Sequence, residues 1–202
     1  MFRPQIQKTR VMLALSILNL LMVYWAVHSY ALIPTYGYDL KYTTAKKMAD
    51  CIELLKQKYQ AKDLINTDFE EKYFLIGPEF SEIQTTTGSL DSKKSVLNPD
   101  FAAMVTEMLI ELELEKGDFA AVSYTGSYPG ANIAVLSALE ILGLNAIIIS
   151  SCGSSQFGAT LPQMTWIDME NLLFEAQLIS SKSSLASIGG GIDLGRQLTQ
   201  RG

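Results

Sequence analysis

The sequence contains a single histidine and two cysteines, and this scarcity excludes several classes of chemistry. His28 lies inside an apolar N-terminal stretch, so nucleophilic mechanisms that use a histidine base have no candidate base in the rest of the chain. Cys51 and Cys152 are far apart and form no CxxC pair, which leaves no cluster for a structural or catalytic zinc. We therefore expect two buried thiols, with one disulfide as the alternative, and no metal or cofactor.

Charge is also scarce, and its sign is uneven along the chain. Charged residues make up 18% of the 202 positions and apolar residues 48%, a balance poor in charge for a soluble protein. Three of the 16 basic residues and none of the 21 acidic ones lie in residues 1–33, so residues 34–202 carry a net charge of −8. An acidic body repels phosphate backbones, so the composition argues against nucleic acid as a partner.

The N-terminal stretch has the composition of a membrane span. Residues 11–33 contain no charged side chain and include the run VMLALSILNLLMVYWAV. About 20 residues at 1.5 Å each cross the hydrocarbon core of a bilayer, and aromatic rings favour the interface. Tyr24, Trp25 and Tyr30 stand near the far end of the run. We therefore expect a transmembrane anchor over residues 11–33.

A cleaved signal peptide is the competing interpretation of the same stretch. Residues 29–31 place small side chains where a signal peptidase would need them. The apolar run is longer than the 7 to 15 residues usual for a signal peptide, which favours an uncleaved anchor. Bases ahead of a span favour the cytoplasm, so residues 1–10 are predicted to be a cytoplasmic tail, with the body outside a single-pass plasma membrane protein. These bases are Arg3, Lys8 and Arg10.

A linker and an amphipathic helix are predicted over residues 34–69. Pro34 and Gly37 indicate a hinge, and apolar side chains then recur at spacings of three and four, as on one face of a helix. Cys51 falls outside this apolar stripe. The members of the stripe are Ala45, Met48, Ala49, Ile52, Leu55 and Tyr59.

Residues 70–202 read as an α/β domain. Strands are predicted at 73–76, 119–124, 146–150 and 184–188, with a loop at 84–89 and helices from 99, over 131–142 and over 168–178. The predicted apolar face of the helix from 99 consists of Phe101, Met104, Val105, Met108, Leu109 and Leu112. The run at 146–150 has no polar alternation until its end, as in a strand covered on both faces. This alternation predicts a three-layer, mostly parallel, Rossmann-like sheet.

Loops rich in glycine and hydroxyl side chains form the candidate site. Loops at 125–130, 151–158 and 189–191 follow predicted strands, and ligands bind beyond the carboxyl ends of parallel strands. Backbone donors, hydroxyls and helix N-termini predict an anionic ligand, whereas ordinary turn and cap chemistry is the alternative. The candidate ligand-binding residues are Thr87, Gly88, Ser89, Gly126, Ser127, Gly130, Ser151, Gly153, Ser154 and Gly190.

Known catalytic and phosphate signatures are not matched. Residues 126–130 lack the lysine of a P-loop, and Gly126 and Ser127 are adjacent, which breaks the GxSxG pattern. Ser127 could act as a nucleophile with Lys93 or Lys94 as its base, although no SxxK spacing supports this. The catalytic residues are therefore unknown at this level.

Several strings together resemble the bacterial poly-gamma-glutamate system protein family. The resemblance implies a role in making or exporting poly-gamma-glutamate, without an assigned reaction. It also implies a longer protein, so a chain ending at Gly202 is expected to have an incomplete sheet with an exposed edge. The strings are Ile76-Gly77-Pro78-Glu79-Phe80-Ser81, Thr85-Thr86-Thr87-Gly88-Ser89-Leu90, Asn98-Pro99, Thr125-Gly126-Ser127-Tyr128-Pro129-Gly130, residues 149–157 and Trp166-Ile167-Asp168-Met169-Glu170.

Three functions follow as hypotheses. The first is a membrane-anchored accessory protein that binds the anionic polymer or a subunit of its synthase. The second is a membrane-tethered hydrolase or transferase acting on the polymer through Ser127 and acids such as Glu79, Glu82 or Asp168. The third is a purely structural subunit of a membrane complex, which predicts no polymer binding.

Overall fold

The N-terminal unit is one exposed apolar helix. The structure is a computed structural model that describes residues 8–30, 33–65 and 71–199, and it divides into residues 1–36 and 37–202. Helix α1 covers Thr9–His28, and none of its residues is buried. It is the one helix of the described chain that is long and apolar enough to cross a membrane. The predicted anchor at 11–33 is thus helical from residue 11 to His28, and the helix starts two residues earlier than predicted, at Thr9.

The second unit contains the remaining helices and strands. Its strands are short apart from two of seven residues each, and its longest helix directly follows Gly37. In chain order the elements are α2 (Tyr38–Ala61), β1 (Gln84–Thr86), α3 (Leu90–Ser95), α4 (Asp100–Glu111), β2 (Phe119–Thr125), α5 (Pro129–Leu142), β3 (Asn145–Ser151), β4 (Ser154–Ser155), α6 (Trp166–Glu175) and β5 (Leu185–Ser187).

The strands form two small parallel sheets. The larger has the order β2-β3-β5, and β2 pairs with β3 from Phe119 opposite Asn145 to Thr125 opposite Ser151. The smaller joins β1 to β4. Gly143 ends α5 with a left-handed backbone, so β2, α5 and β3 form the predicted βαβ crossover. The mixed α/β class and the parallel pairing are therefore confirmed.

Helices cover one face of the larger sheet in the described chain. Tyr124 and Ile148 point into the core, where the Tyr124 ring packs edge-on against Trp166 of α6 at 5.6 Å. Ile147 and Ile149 alternate with Ile148 and are 52% and 45% exposed. The expectation that this strand is covered on both faces is therefore wrong here. The other large apolar side chains on the open face are Phe119 and Leu185.

Two segments differ from the predicted secondary structure. Residues 73–76 form a turn rather than a strand, closed by a hydrogen bond from the Ile76 N–H to the Tyr73 carbonyl. The run is apolar because Phe74 and Leu75 enter the core, not because it joins a ladder. Residues Gln84–Thr86, predicted as a loop, form β1.

Two helices bury faces that overlap only in part with those predicted. In α2, Cys51 is fully buried, so the prediction that it lies outside the apolar stripe is wrong. In α4, Met104 and Met108 are 43% and 55% exposed, and the buried positions are Ala102 and Thr106. These small side chains face α2 and α5 in the close packing of the three helices, so side-chain size decides which face is buried. The core-facing residues of α2 are Thr44, Met48, Cys51, Leu55 and Tyr59.

Candidate functional site

The predicted loops meet in one cleft. A cavity of about 370 Å³ lies at the carboxyl ends of β2, β3 and β5. Parallel strands end at the same edge of a sheet, so loops far apart in sequence are brought together there. The residues that line it are Thr85, Thr86, Thr125, Ser127, Ser151, Gly153, Gly189, Gly190, Gly191, Asp193 and Gln197.

Four of the ten predicted site residues line this cleft: Ser127, Ser151, Gly153 and Gly190. They come from three loops, those after β2, β3 and β5. A fifth, Gly126, lies next to Ser127, and a Cβ there would approach the Cys152 carbonyl oxygen to 2.9 Å. Gly126 is therefore needed for the close packing of the first loop against the second.

The predicted residues of the 87–89 segment lie outside the cleft. Thr87 is exposed just after β1. The Gly88 N–H donates to the Gln156 side chain at 3.3 Å, which holds the segment against the β4 loop. The Ser89 hydroxyl accepts from the Ser92 N–H at 3.4 Å and caps α3. Turn and cap chemistry therefore accounts for Gly88 and Ser89.

Gly130 and Ser154 also have structural contacts. Gly130 is in the first turn of α5, where a Cβ would lie 2.6 Å from the Val96 carbonyl oxygen. Ser154 is fully buried, and its hydroxyl donates to the Gly126 carbonyl at 2.9 Å. Both residues hold the walls of the cleft in place rather than line it.

The chain's own side chains occupy part of the glycine loop at 189–191. Gly189 and Gly190 have φ values of +82° and +77°, a conformation that favours glycine. The Gly189 N–H donates to the Asp193 carboxylate at 2.9 Å, and the Gly191 N–H donates to the Gln197 side-chain oxygen at 3.2 Å. A carboxylate ligand would therefore meet the negative charge of Asp193 and compete with it for these donors.

A buried lysine stands behind the Ser127 turn. Lys93 of α3 is 2% exposed, and its ammonium donates to the Ser127 carbonyl oxygen and, at 2.7 Å, to the Ser155 hydroxyl. The ammonium also lies 3.9 Å from the centre of the Tyr128 ring. No carboxylate in the described ranges forms an ion pair with Lys93. Burial lowers the pKa of Lys93 to about 8, because it disfavours the charged form.

Ser127 and Ser155 are joined directly. The Ser155 N–H donates to the Ser127 hydroxyl oxygen at 3.0 Å. The Ser127 N–H in turn donates to the Thr125 hydroxyl at 3.0 Å, and the Asn132 amide donates to the Thr125 carbonyl at 2.8 Å. These bonds fix the Ser127 side chain at the edge of the cleft, with Ser155 and then Lys93 behind it.

The contact of Lys93 with Ser155 is the feature that sequence reasoning missed. It joins positions 62 apart, and no spacing motif marks it. The signal available was the lysine itself, which is the one buried residue of the short helix α3. Lys94, the other base considered, lies over the Tyr73 ring at 5.1 Å instead.

The acids proposed as partners of Ser127 have other contacts. Asp168 accepts from the Thr165 N–H at 2.8 Å and hydroxyl at 2.7 Å, and so completes the capping box of α6. Glu79 accepts from the Gln156 amide at 3.4 Å. Neither Asp168, Glu79 nor Glu82 lines the cleft. No group of three or more His, Cys, Asp or Glu in the described residues could hold a metal ion.

A buried acid, Glu170, lies in the core below the sheet end. Glu170 is 1% exposed and accepts from the Ser183 N–H at 3.0 Å and hydroxyl at 2.9 Å. The Ser183 hydroxyl also contacts the Ser150 hydroxyl at 2.6 Å, and the Ser150 hydroxyl accepts from the Trp166 indole N–H at 3.2 Å. Burial raises the pKa of Glu170, against the opposing effect of the Ser183 bonds.

Comparison with models of known protein families, with curated proteins and with solved structures finds no match. Any family assignment therefore rests on the sequence strings, and any function rests on the chemistry of the cleft.

Proposed function

We propose that the chain is a membrane-anchored accessory protein of poly-gamma-glutamate biosynthesis or export. In this proposal the α/β body binds the carboxylate-rich polymer in the cleft, and a synthase subunit is its protein partner. The supporting observation is that Ser127, Ser151, Gly153 and Gly190, from three separate loops, line one cavity. The identity of the polymer is inferred from the sequence resemblance, and the cleft is the site proposed to bind it.

The anchor in this proposal is α1. Its 20 residues span about 30 Å at 1.5 Å per residue, which matches the hydrocarbon core of a bilayer. Its side chains are exposed on all sides, as lipid contact requires. Arg3 and Lys8 precede α1 and Arg10 lies in its first turn, which supports a cytoplasmic N-terminus with the body on the outer side of the plasma membrane.

Recognition of an anion here depends on local donors. The body carries a net charge of −8 beyond residue 33, so long-range attraction does not bring a polyanion to it. Thr125, Ser127 and Ser151, which carry hydroxyl groups, line the cavity, and Lys93 places a positive charge directly behind the Ser127 carbonyl. Hydrogen bonds to a charged group contribute about 1.5 to 3 kcal/mol each, and in this proposal they act against both the diffuse repulsion and the local charge of Asp193 in the cleft.

We also propose that the sheet has the three-layer, Rossmann-like arrangement in the assembled system. It requires a second layer over the open face of the β2-β3-β5 sheet, where Phe119, Ile147 and Leu185 are 74%, 52% and 65% exposed. Exposed apolar side chains in one continuous patch are typical of interaction surfaces. We propose that a synthase subunit supplies this layer in the assembled system.

Co-purification tests the proposal. The tagged full-length protein would be extracted in detergent from polymer-producing cells, and the eluate assayed for polymeric glutamate and for synthase subunits. We expect both with the wild type, and we expect the polymer to be retained with Ser123→Ala, which alters an exposed side chain outside the cleft. We expect the polymer to be lost with Ser127→Ala.

The outcomes separate the hypotheses. Synthase subunits without polymer, in wild type and Ser127→Ala alike, would replace the polymer site with the structural-subunit hypothesis. An eluate that contains neither polymer nor synthase subunits would contradict the proposal as a whole. Polymer shortened by the purified wild-type protein would favour the hydrolase or transferase, for which the Lys93 contacts are the specific observation.

A further inference from the structure

A turn over residues 189–198 contributes to the walls of two cavities in the α/β body. Residues 189–191 and Asp193 line the cleft at the strand ends. Leu198, at the other end of the turn, lines a second cavity of about 330 Å³, whose wall also includes Cys152. The position of this one turn therefore affects access both to the cleft and to the cavity beside it.

The turn has a strained backbone and little buried surface. Ile192, Asp193 and Gln197 have φ values of +56°, +57° and +71°. This left-handed conformation is unfavourable for side chains other than glycine, and most of all for a β-branched one such as isoleucine. The apolar side chains of Ile192 and Leu194 are 75% and 70% exposed. Strain combined with little burial is typical of segments that open locally.

The turn carries its own carboxylate into the cleft. The Gly189 N–H donates to the Asp193 carboxylate at 2.9 Å, and this is the one hydrogen bond of that N–H within the described residues. No lysine or arginine of the described ranges forms an ion pair with Asp193. The side chain is exposed and belongs to a body with a net charge of −8. A backbone donor in the cleft therefore holds a carboxylate that no cation neutralises.

We infer that Asp193 is a built-in competitor of the ligand, whose carboxylate occupies the Gly189 N–H until a carboxylate of the ligand displaces it and the turn opens. The inference rests on the proposed function, because it states how the same cleft is regulated. It also names the donor, the Gly189 N–H, that a second carboxylate of a bound polymer would reach.

The exchange costs little because one carboxylate replaces another. The Gly189 N–H keeps a charged acceptor throughout, and the Asp193 carboxylate moves into water from an exposed position. Two carboxylates cannot share this donor without repulsion, so the arrival of one favours the departure of the other. A polymer bound at Ser127 presents further carboxylates nearby at a high effective concentration, which a single small acid does not. The arrangement therefore favours polymeric over monomeric glutamate.

Asp193→Asn tests the competition. Asparagine keeps the shape of the side chain and tolerates a positive φ, but its neutral amide oxygen is a weaker acceptor for the Gly189 N–H. The matched control is Asp63→Asn, which removes the same charge from an exposed residue with a φ of +55° outside the cleft. In nanodiscs, the affinity of the full-length protein for a fluorescent gamma-glutamate oligomer should rise about five- to tenfold with Asp193→Asn and stay at the wild-type value with Asp63→Asn.

The Cys152 thiol reports the opening of the turn independently of affinity. Opening moves Leu198 away from the cavity that Cys152 lines, so the rate of iodoacetamide modification follows the open population. Without ligand, we expect Cys152 to react about fivefold faster in Asp193→Asn than in the wild type, as peptide mass spectrometry would show. Saturating oligomer should also speed the reaction in the wild type. Cys51, fully buried in α2, should stay unmodified and is the internal control.

The outcomes separate this inference from the proposed function. A folded Asp193→Asn protein that binds the oligomer no more tightly than the wild type would overturn the inference, and so would protection of Cys152 by the oligomer. If the oligomer binds none of the three proteins, the proposed function fails and the ligand-free Cys152 rate decides: an unchanged rate in Asp193→Asn overturns the closing role of Asp193, and a faster one supports it. If circular dichroism shows Asp193→Asn to be unfolded, Asp193→Gly replaces it with the same expectations, because glycine adopts a positive φ freely.

Discussion

Gly158→Ala is the perturbation that best probes how the Ser127 turn is held. A Cβ at Gly158 would lie 2.6 Å from the Gly126 carbonyl oxygen and 2.7 Å from the Ser127 carbonyl oxygen, and would also overlap the Ser154 hydroxyl. Ordinary contact begins at 3.4 Å, so the two carbonyls would have to move by about 0.7 to 0.8 Å. The φ angle at Gly158 is not positive, so steric overlap is the perturbation rather than backbone strain.

The cost of this overlap follows from the packing. The Gly126 carbonyl already accepts from the Ala159 N–H at 2.7 Å and from the Ser154 hydroxyl at 2.9 Å, so it cannot shift without weakening both bonds. Overpacking a well-packed site costs about 1 to 3 kcal/mol. At about 2 to 4 °C per kcal/mol for a chain of this size, the Tm of Gly158→Ala should fall by about 2 to 12 °C.

Gly191→Ala is the matched control. It carries the same loss of unfolded-state entropy, and its φ angle is not positive either. The nearest atoms to its Cβ would be Arg196 Cβ at 3.2 Å and Gln197 Oε1 at 3.3 Å, contacts that a shift of a few tenths of an ångström relieves. Thermal unfolding in detergent, followed by circular dichroism, compares the two. A Tm for Gly158→Ala equal to or above that of Gly191→Ala would refute the close packing of the turn.

Three further predictions concern the core and the helix caps. The raised pKa of Glu170 means that the folded state prefers the neutral acid, so its contribution to stability is present at low pH and lost as pH rises through the folded pKa. Glu170→Gln should therefore have a higher Tm than the wild type at neutral pH, and the gap should close on acidification; a gap that widens would contradict this. Thr165→Ala removes the capping box with Asp168 and should cost about 0.5 to 2 kcal/mol in denaturant unfolding, and no loss would contradict the cap. Burial raises the pKa of Cys51 to about 11, so iodoacetamide should modify half-buried Cys152 first in the native protein, as mass spectrometry would show; the reverse order would contradict the buried position of Cys51.

The central βαβ unit was predictable because its signals are local. The apolar runs at 119–124 and 146–150, the glycine-containing turn between them and Gly143 after the helix all act over a few residues. The cleft was predictable by topology, since parallel strands end at one edge wherever their loops lie in sequence.

The errors arose where tertiary packing decides the outcome. A short apolar run enters the core equally well as a strand or as a turn, and the turn at 73–76 packs Phe74 against Tyr59 at 5.1 Å. On α4, the small Ala102 and Thr106 allow close helix packing, and the longer methionines are left outside. The run at 146–150 carries no mark of whether a second layer covers it.

The hydrogen bonds among Lys93, Ser127 and Ser155 could not be predicted from the sequence. Lys93, Ser127 and Ser155 lie in three different elements or loops, and their contacts span 28, 34 and 62 positions. Nothing in the spacing distinguishes Lys93 from Lys94, and only the packing of α3 decides which of the two is buried.

Equilibrium binding of the polymer tests the central claim most directly. The anisotropy of a fluorescent gamma-glutamate oligomer would be titrated with the full-length protein in nanodiscs, at low and at moderate salt. We predict saturable binding that weakens with salt, that Ser123→Ala preserves, and that Ser127→Ala weakens about ten- to a hundredfold, as expected for one hydrogen bond to a charged group. No measurable affinity at low salt, or equal affinity for the wild type and Ser127→Ala, would contradict the account.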